Sequence, residues 1–193
     1  MNGALWFAVG TVIPLLVGLI GVPLLSSYGL FSGMSFSVPI GIVFAASAIG
    51  GATAGGFSIG RRASLAFSVA FVLTLWIPLL IVTSLQGLSG REQFFELFAG
   101  FGFGYGMAYF LLGIVGVGVL SKMSLWKMLR GGSVFAVGGL IGGLLLAVSV
   151  TAASALPETV GLSVRVGGGA LSCLVSSSIG GWWVQDFALG TRR

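Results

Sequence analysis

The chain has 193 residues, 56% of them hydrophobic and only 7% charged, and its nine Lys and Arg against four Asp and Glu leave a net charge of +5. A soluble domain carries about 25% charged residues. So few charges, with a mean hydropathy of +1.12, exclude a surface bathed in water and make lipid the solvent for most of the chain. In lipid every backbone N–H and C=O must pair internally, which leaves helices or closed barrels. A barrel needs short strands alternating apolar and polar positions. The runs here are long and unbroken, and a helix needs about 20 such residues to span. The predicted fold class is all-α, a polytopic membrane helix bundle with six transmembrane helices.

The first apolar segment runs from about Leu5 to Leu25. No Lys or Arg precedes it and no small-residue cleavage site follows, so it reads as a spanning helix and not as a signal peptide. The second runs from about Val38 to Gly60, the third from about Ala63 to Leu85, and the fourth lies within Phe94 to Leu120. The fourth is longer than one span needs, which fits a tilted helix or an interfacial piece followed by a span. It begins on a capping-box pattern, Ser89-Gly90-Arg91-Glu92. Within it, Phe101-Gly102-Phe103-Gly104-Tyr105-Gly106 alternates with period two, which points to a local break or a re-entrant piece. The fifth segment runs from about Ser133 to Leu156 and the sixth from about Val166 to Leu189. Before the fifth, Lys122 to Arg130 mixes basic and apolar residues. It reads equally as a short amphipathic helix in the headgroup layer and as a basic loop anchored by Trp126. Pro14, Pro23, Pro39 and Pro78 each remove a helix hydrogen bond and are expected to kink their spans.

The connectors set the orientation. Arg61, Arg62, Lys122, Lys127, Arg130, Arg192 and Arg193 fall on one side of six alternating spans, and only Arg91 and Arg165 fall on the other. The positive-inside rule then places both termini in the cytoplasm, in the cell membrane. The basic residues are scattered and form no basic face, so nucleic acid is not an expected partner. The expected partners are the lipid bilayer and either other membrane subunits or further copies of the chain.

A repeat runs through the spans. Phe7, Phe71 and Phe135 are 64 apart, as are Ile13, Ile77 and Ile141, and Gly51, Gly116 and Gly181 are 65 apart. Phe7-Ala8-Val9-Gly10 recurs as Phe135-Ala136-Val137-Gly138. The spacing suggests three hairpins, 1–62, 63–130 and 131–193, related by a pseudo-threefold axis along the membrane normal. Chance identities in so Gly- and Leu-rich a chain offer an equally simple account. Together the hairpins make one integral membrane domain.

Thirty-four glycines fall inside the spans as well as between them. Ala46, Gly50 and Ala54 form a small-xxx-small ladder, as do Gly51 with Gly55, Gly102 with Gly106, and Ser172, Ser176 with Gly180. Residues four apart share a helix face, so these ladders let backbones approach. Gly50, Gly51, Gly55, Gly102, Gly106 and Gly180 are the expected packing positions.

The chain has no histidine and one cysteine, Cys173. Ser-His and Cys-His nucleophiles, histidine-ligated haem and the common zinc sites are therefore out of reach. No Gly-x-Ser-x-Gly elbow is present. No enzyme, resident cofactor or metal is expected. Charge near lipid is expensive and often functional, so Glu96 and Asp186 are candidate contacts at opposite mouths of a path. The plainer reading keeps both at the headgroup layer, with Asp186 beside an arginine such as Arg62. Neutral polar residues add Tyr105, Tyr109, Thr74, Ser172, Ser176, Ser177, Ser178 and Gln185. Glu96, Tyr105, Ser172, Ser176 and Asp186 are the residues proposed to line a substrate path.

In size and topology the chain is similar to the substrate-binding membrane subunits of energy-coupling-factor vitamin transporters. It is also similar to the small urea-channel and acetate-permease families, which place six helices in a chain of this length. The similarity is architectural. The acetate family's Asn-Pro-Ala-Pro-Leu-Gly-Leu motif is absent, and no residue role carries over. The sequence thus points to a permease or channel subunit for a small neutral or weakly polar solute. The alternative is a non-catalytic assembly subunit of a larger membrane complex.

Overall fold

The computed structural model describes residues 3–30, 37–85, 93–122 and 124–190, with side chains except at 75–85, 93–99 and 188–190. The described residues are helical apart from short turns. Helix α1 covers Gly3–Ser27, α2 Ser37–Ser58, α3 Arg61–Leu85, α4 Gln93–Leu120, α5 Leu125–Ser154 and α6 Glu158–Gly190. Among the described residues, five helical stretches are long and apolar enough to cross a bilayer: Gly3–Ser27, Ser37–Ser58, Gly100–Leu120, Leu125–Ser154 and Glu158–Phe187. The chain is a multi-pass helical membrane protein.

Several local expectations change. The Phe101–Gly106 run stays inside one continuous α-helix, α4. Neighbours on both sides cover Gly102, Gly104 and Gly106, while Phe103 points outward. The period-two pattern thus reflects a helix squeezed from two sides and not a break. The Lys122–Arg130 segment forms no separate interfacial helix. Lys122 makes the turn with φ 52°, and from Leu125 the chain already belongs to α5. That places Trp126, 77% exposed, on the first turn of the helix, at the level where amphipathic rings favour the membrane interface. The Lys127 ammonium lies 5.8 Å from the Phe187 ring centroid, tying the start of α5 to the end of α6.

The prolines behave differently from one another. Pro14 lies within the α-helical part of α1, and a π-helical turn follows at Val17–Gly21, where the Val22 N–H bonds to the Val17 carbonyl. Such a π-turn is a rare single-turn departure from the i→i−4 ladder, and Pro23, which has no N–H to give that ladder, stands two residues past it. Pro39 is the third residue of α2, where the N–H has no intrahelical acceptor to lose, so no kink is needed there. Pro78 lies in α3 among the residues whose side chains are not described. The capping-box residues Ser89 to Glu92 lie outside the described residues.

The helices form a closed ring in chain order. Each packs on the next, and α6 packs back on α1. Large apolar side chains such as Leu5, Ile49, Leu65, Val137 and Leu162 face outward. The inside is made of small residues and a few rings. This inversion follows from the solvent: lipid tails are as apolar as leucine, so helices associate through close packing and not through hydrophobic burial. Glycine lies in all six seams. A Cβ at Gly10 would collide with the Gly50 carbonyl and one at Gly51 with the Phe67 carbonyl. The α3–α4 seam sets Gly116 on the Phe67 ring, the α4–α5 seam Gly143 on Gly102, and the α5–α6 seam Gly180 on the Phe135 ring. The α6–α1 seam sets Gly181 on the Phe7 ring. Gly55 meets the Ala63 carbonyl, and Gly106 lies against Leu140.

Short turns fix the alternation. Gly60 joins α2 to α3 with φ 134°, and the Ile59 and Gly60 N–H groups both bond to the Gly55 carbonyl at 3.0 and 3.1 Å. At the opposite end, the turn from α5 to α6 bonds the Ala155 N–H to the Ala152 carbonyl at 3.2 Å. Arg61, Arg62, Lys122, Lys127 and Arg130 are exposed at the end that carries the α2–α3 and α4–α5 turns. Arg165, also exposed, lies in the other half of the bundle, on the second turn of α6.

Candidate functional site: a cavity beside an aromatic plug

Helices α1, α3 and α5 are not neighbours in the ring, so their inward side chains meet across its middle. Phe7, Phe67 and Phe135 do so, all fully buried. Ring centroids are 4.8 Å apart for Phe7 and Phe67, 5.9 Å for Phe7 and Phe135, and 6.1 Å for Phe67 and Phe135. Phe71 joins this cluster 6.2 Å from Phe7. Only glycines at the facing positions, Gly116, Gly180 and Gly181, leave room for the rings. Edge-to-face and tilted contacts of this kind add about 0.5–1.5 kcal/mol per pair beyond area. The result is a buried aromatic plug in the half of the bundle that holds the α2–α3 and α4–α5 turns.

Beyond the plug, away from those turns, a cavity of about 230 Å³ opens among α1, α2, α3, α4 and α6. Thr11, Pro14, Leu15, Gly18 and Leu19 supply one wall, Val43 and Ser47 a second, and Phe71 and Thr74 a third. Tyr105, Tyr109, Leu112 and Cys173 close it. Tyr105 and Tyr109 are one helical turn apart, so both face inward, with rings stacked at 6.3 Å. The wall runs from buried Thr11 to Leu19, which is 44% exposed, so the cavity reaches the outer surface beside the π-turn of α1.

The polar groups of the wall are held by the protein itself. Ser47 donates to the Val43 carbonyl at 2.9 Å, and Thr74 donates to the Ala70 carbonyl at 2.8 Å. The Thr11 hydroxyl lies 2.8 Å from the Phe7 carbonyl and 2.7 Å from Ser177 Oγ, joining α1 to α6. Tyr109 donates across the ring to the Cys173 carbonyl at 3.1 Å. The Tyr105 hydroxyl and Cys173 Sγ are 3.6 Å apart, and the phenol is the stronger donor of the two. What remains facing the space is almost wholly carbon: methyls, methylenes and ring faces.

Of the residues singled out from sequence, the structure brings some to the cavity and leaves others away from it. Tyr105 lines the cavity. Ser172 and Ser176 are fully buried but donate to their own helix, to the Gly168 and Ser172 carbonyls at 2.7 Å each. Gly142 of α5 packs directly on Ser176, and the Tyr109 side chain lies within hydrogen-bonding reach of Ser176, so Ser176 sits in the α5–α6 seam directly behind the cavity wall. Asp186 is exposed near the opposite end of α6 from Glu158, well beyond the plug from the cavity. Glu96 lies on α4, but its side chain is outside the described residues. Thr11 and Ser47 are not legible as wall residues in the sequence, where isolated hydroxyls in apolar helices carry no signal. The i, i+4 spacing of Tyr105 and Tyr109 was the one local clue to a shared face. Among the described residues, no group of three or more acidic, thiol or imidazole side chains comes together.

No protein-family model, curated protein or solved structure matches the chain.

Proposed function

We propose that the chain is a six-span protein of the cell membrane, with both termini in the cytoplasm, that binds and conducts a small neutral or weakly polar solute and does no covalent chemistry on it. The observation that carries this reading is the cavity of about 230 Å³ inside a closed ring of helices, stopped on one side by the Phe7–Phe67–Phe135 plug. Pockets for drug-sized ligands are about 300–1,000 Å³, so the occupant is smaller than those. In the proposed orientation the cavity lies in the outer half and the plug in the cytoplasmic half. The basic residues exposed beside the α2–α3 and α4–α5 turns support that orientation. The 64-residue step among Phe7, Phe71 and Phe135 supports three hairpins around a pseudo-threefold axis. The closest triangle uses Phe67, one turn before Phe71, so any such symmetry is offset by a turn in α3.

The plug is the gate in this reading. In liposomes, Phe7→Ala with Phe135→Ala is expected to raise solute flux at least tenfold over the unsubstituted protein. Unchanged flux in a folded variant removes the plug as a gate. Absence of flux from both proteins, together with a stoichiometric partner on purification, favours the assembly subunit.

A further inference from the structure

The cavity wall narrows the class of occupant. Every hydroxyl facing it already has an acceptor within the protein: a helix carbonyl, Ser177 Oγ or Cys173 Sγ. The lining that a guest would touch is carbon. A urea-, glycerol- or amide-like molecule would surrender several hydrogen bonds to water and find in return no free donor for its oxygens and only scattered hydroxyl lone pairs for its N–H or O–H groups. Each buried group left unpaired lowers affinity by about tenfold or more. An apolar guest loses nothing of that kind. Apolar cavities of about 150 Å³ stay dry and bind benzene or xenon, and this one is larger. Its wall also reaches the exposed side of α1 at Leu19, on the surface that lipid covers.

We propose that the cavity binds a small, lipid-soluble, apolar molecule of about one or two aromatic rings, which reaches it from the membrane past Leu19. This rests on the cavity being the functional site and replaces a weakly polar solute by an apolar one. The hydroxyls then serve to close the ring of helices, and the ring faces of Tyr105 and Tyr109 serve as the platform. A guest that carries a single N–H or O–H donor is tolerated, because the hydroxyl oxygens keep a lone pair.

The test is a ¹⁹F titration of fluorobenzene into the full chain in lipid nanodiscs. A saturable resonance, distinct from the lipid-partitioned one, is expected at one site per chain. Val43→Trp, which fills the wall, is expected to abolish it, and a hundredfold excess of urea or glycerol to leave it in place. A signal that never saturates, that survives in folded Val43→Trp, or that urea displaces at equal concentration overturns the proposal. Should that variant not assemble, crystals of the unsubstituted protein under xenon pressure decide. Xenon density between Thr11 and Tyr109 supports the site, and its absence overturns it. Flux of a polar solute in liposomes without fluorobenzene binding would sink this inference while leaving conduction standing. Binding without any flux would do the reverse.

Discussion

At the scale of single residues, position in the ring decides what a glycine is for. Gly51 faces the Phe67 carbonyl with no room for a methyl group, while Gly41 on the same helix has nothing within 4 Å of its missing Cβ. Gly51→Ala is therefore expected to destabilise the fold by about 1–3 kcal/mol through overpacking. Gly41→Ala is expected to be neutral or to stabilise by about 0.5–1 kcal/mol, because alanine loses less freedom in a helix. Unfolding by steric trapping in bicelles measures both, and equal effects would contradict the close α2–α3 seam. The small-xxx-small spacing made Gly51 and Gly55 visible as one face. It did not reveal that the facing atoms are main-chain carbonyls. Ser172 and Ser176 show the same limit. Their four-residue step is plain in the sequence, but only the tertiary structure sets Gly142 of α5 against Ser176 and brings Tyr109 within its reach.

At the scale of elements, the turns do the work that loop sequences barely announce. The α2–α3 connection has two residues, Ile59 and Gly60, and Gly60 holds φ 134°, a conformation that costs other residues about 1–3 kcal/mol. Gly60→Ala should lower stability by that order without moving the cavity, so fluorobenzene affinity per folded molecule is expected to stay within twofold. A large change in affinity would mean that the turn positions the cavity wall. The helix ends were blurred in the sequence for a related reason. Hydropathy sees the fifth span only from about Ser133, yet α5 starts at Leu125. A turn at Lys122 lets α5 begin at Leu125, with Trp126 exposed on its first turn. Pro14 and Pro39 read alike as breakers. Their positions within α1 and α2 make one a site of disturbed hydrogen bonding and the other a harmless first-turn residue.

At the scale of the whole molecule, ring closure creates both plug and cavity. α6 returns to α1, and Gly181 lets Phe7 into the middle. The topology proposed from the basic residues is tested by labelling on a Cys173→Ser background. With a membrane-impermeant maleimide added to intact cells, Arg165→Cys is expected to react and Arg62→Cys only after permeabilisation. The reverse pattern would invert the chain and place the plug outside. Phe7, Phe71 and Phe135 could be picked out in sequence by their even spacing, and all lie in the aromatic cluster. Phe67, which completes the tightest triangle, breaks the spacing and could not.

Composition alone determined the solvent and the backbone. Thirteen charges (nine basic, four acidic) in 193 residues cannot clothe a protein in water, and a chain in lipid must satisfy its backbone within helices or a closed barrel. These are properties of the sum of the residues, so any arrangement of the helices preserves them. Which faces meet is not such a property. Helices apolar on all sides carry no amphipathic stripe to announce an inward face. The ring order, the glycine seams, the buried triangle of phenylalanines and the carbon-lined space beside it were decided only when close packing chose among faces that hydropathy could not tell apart.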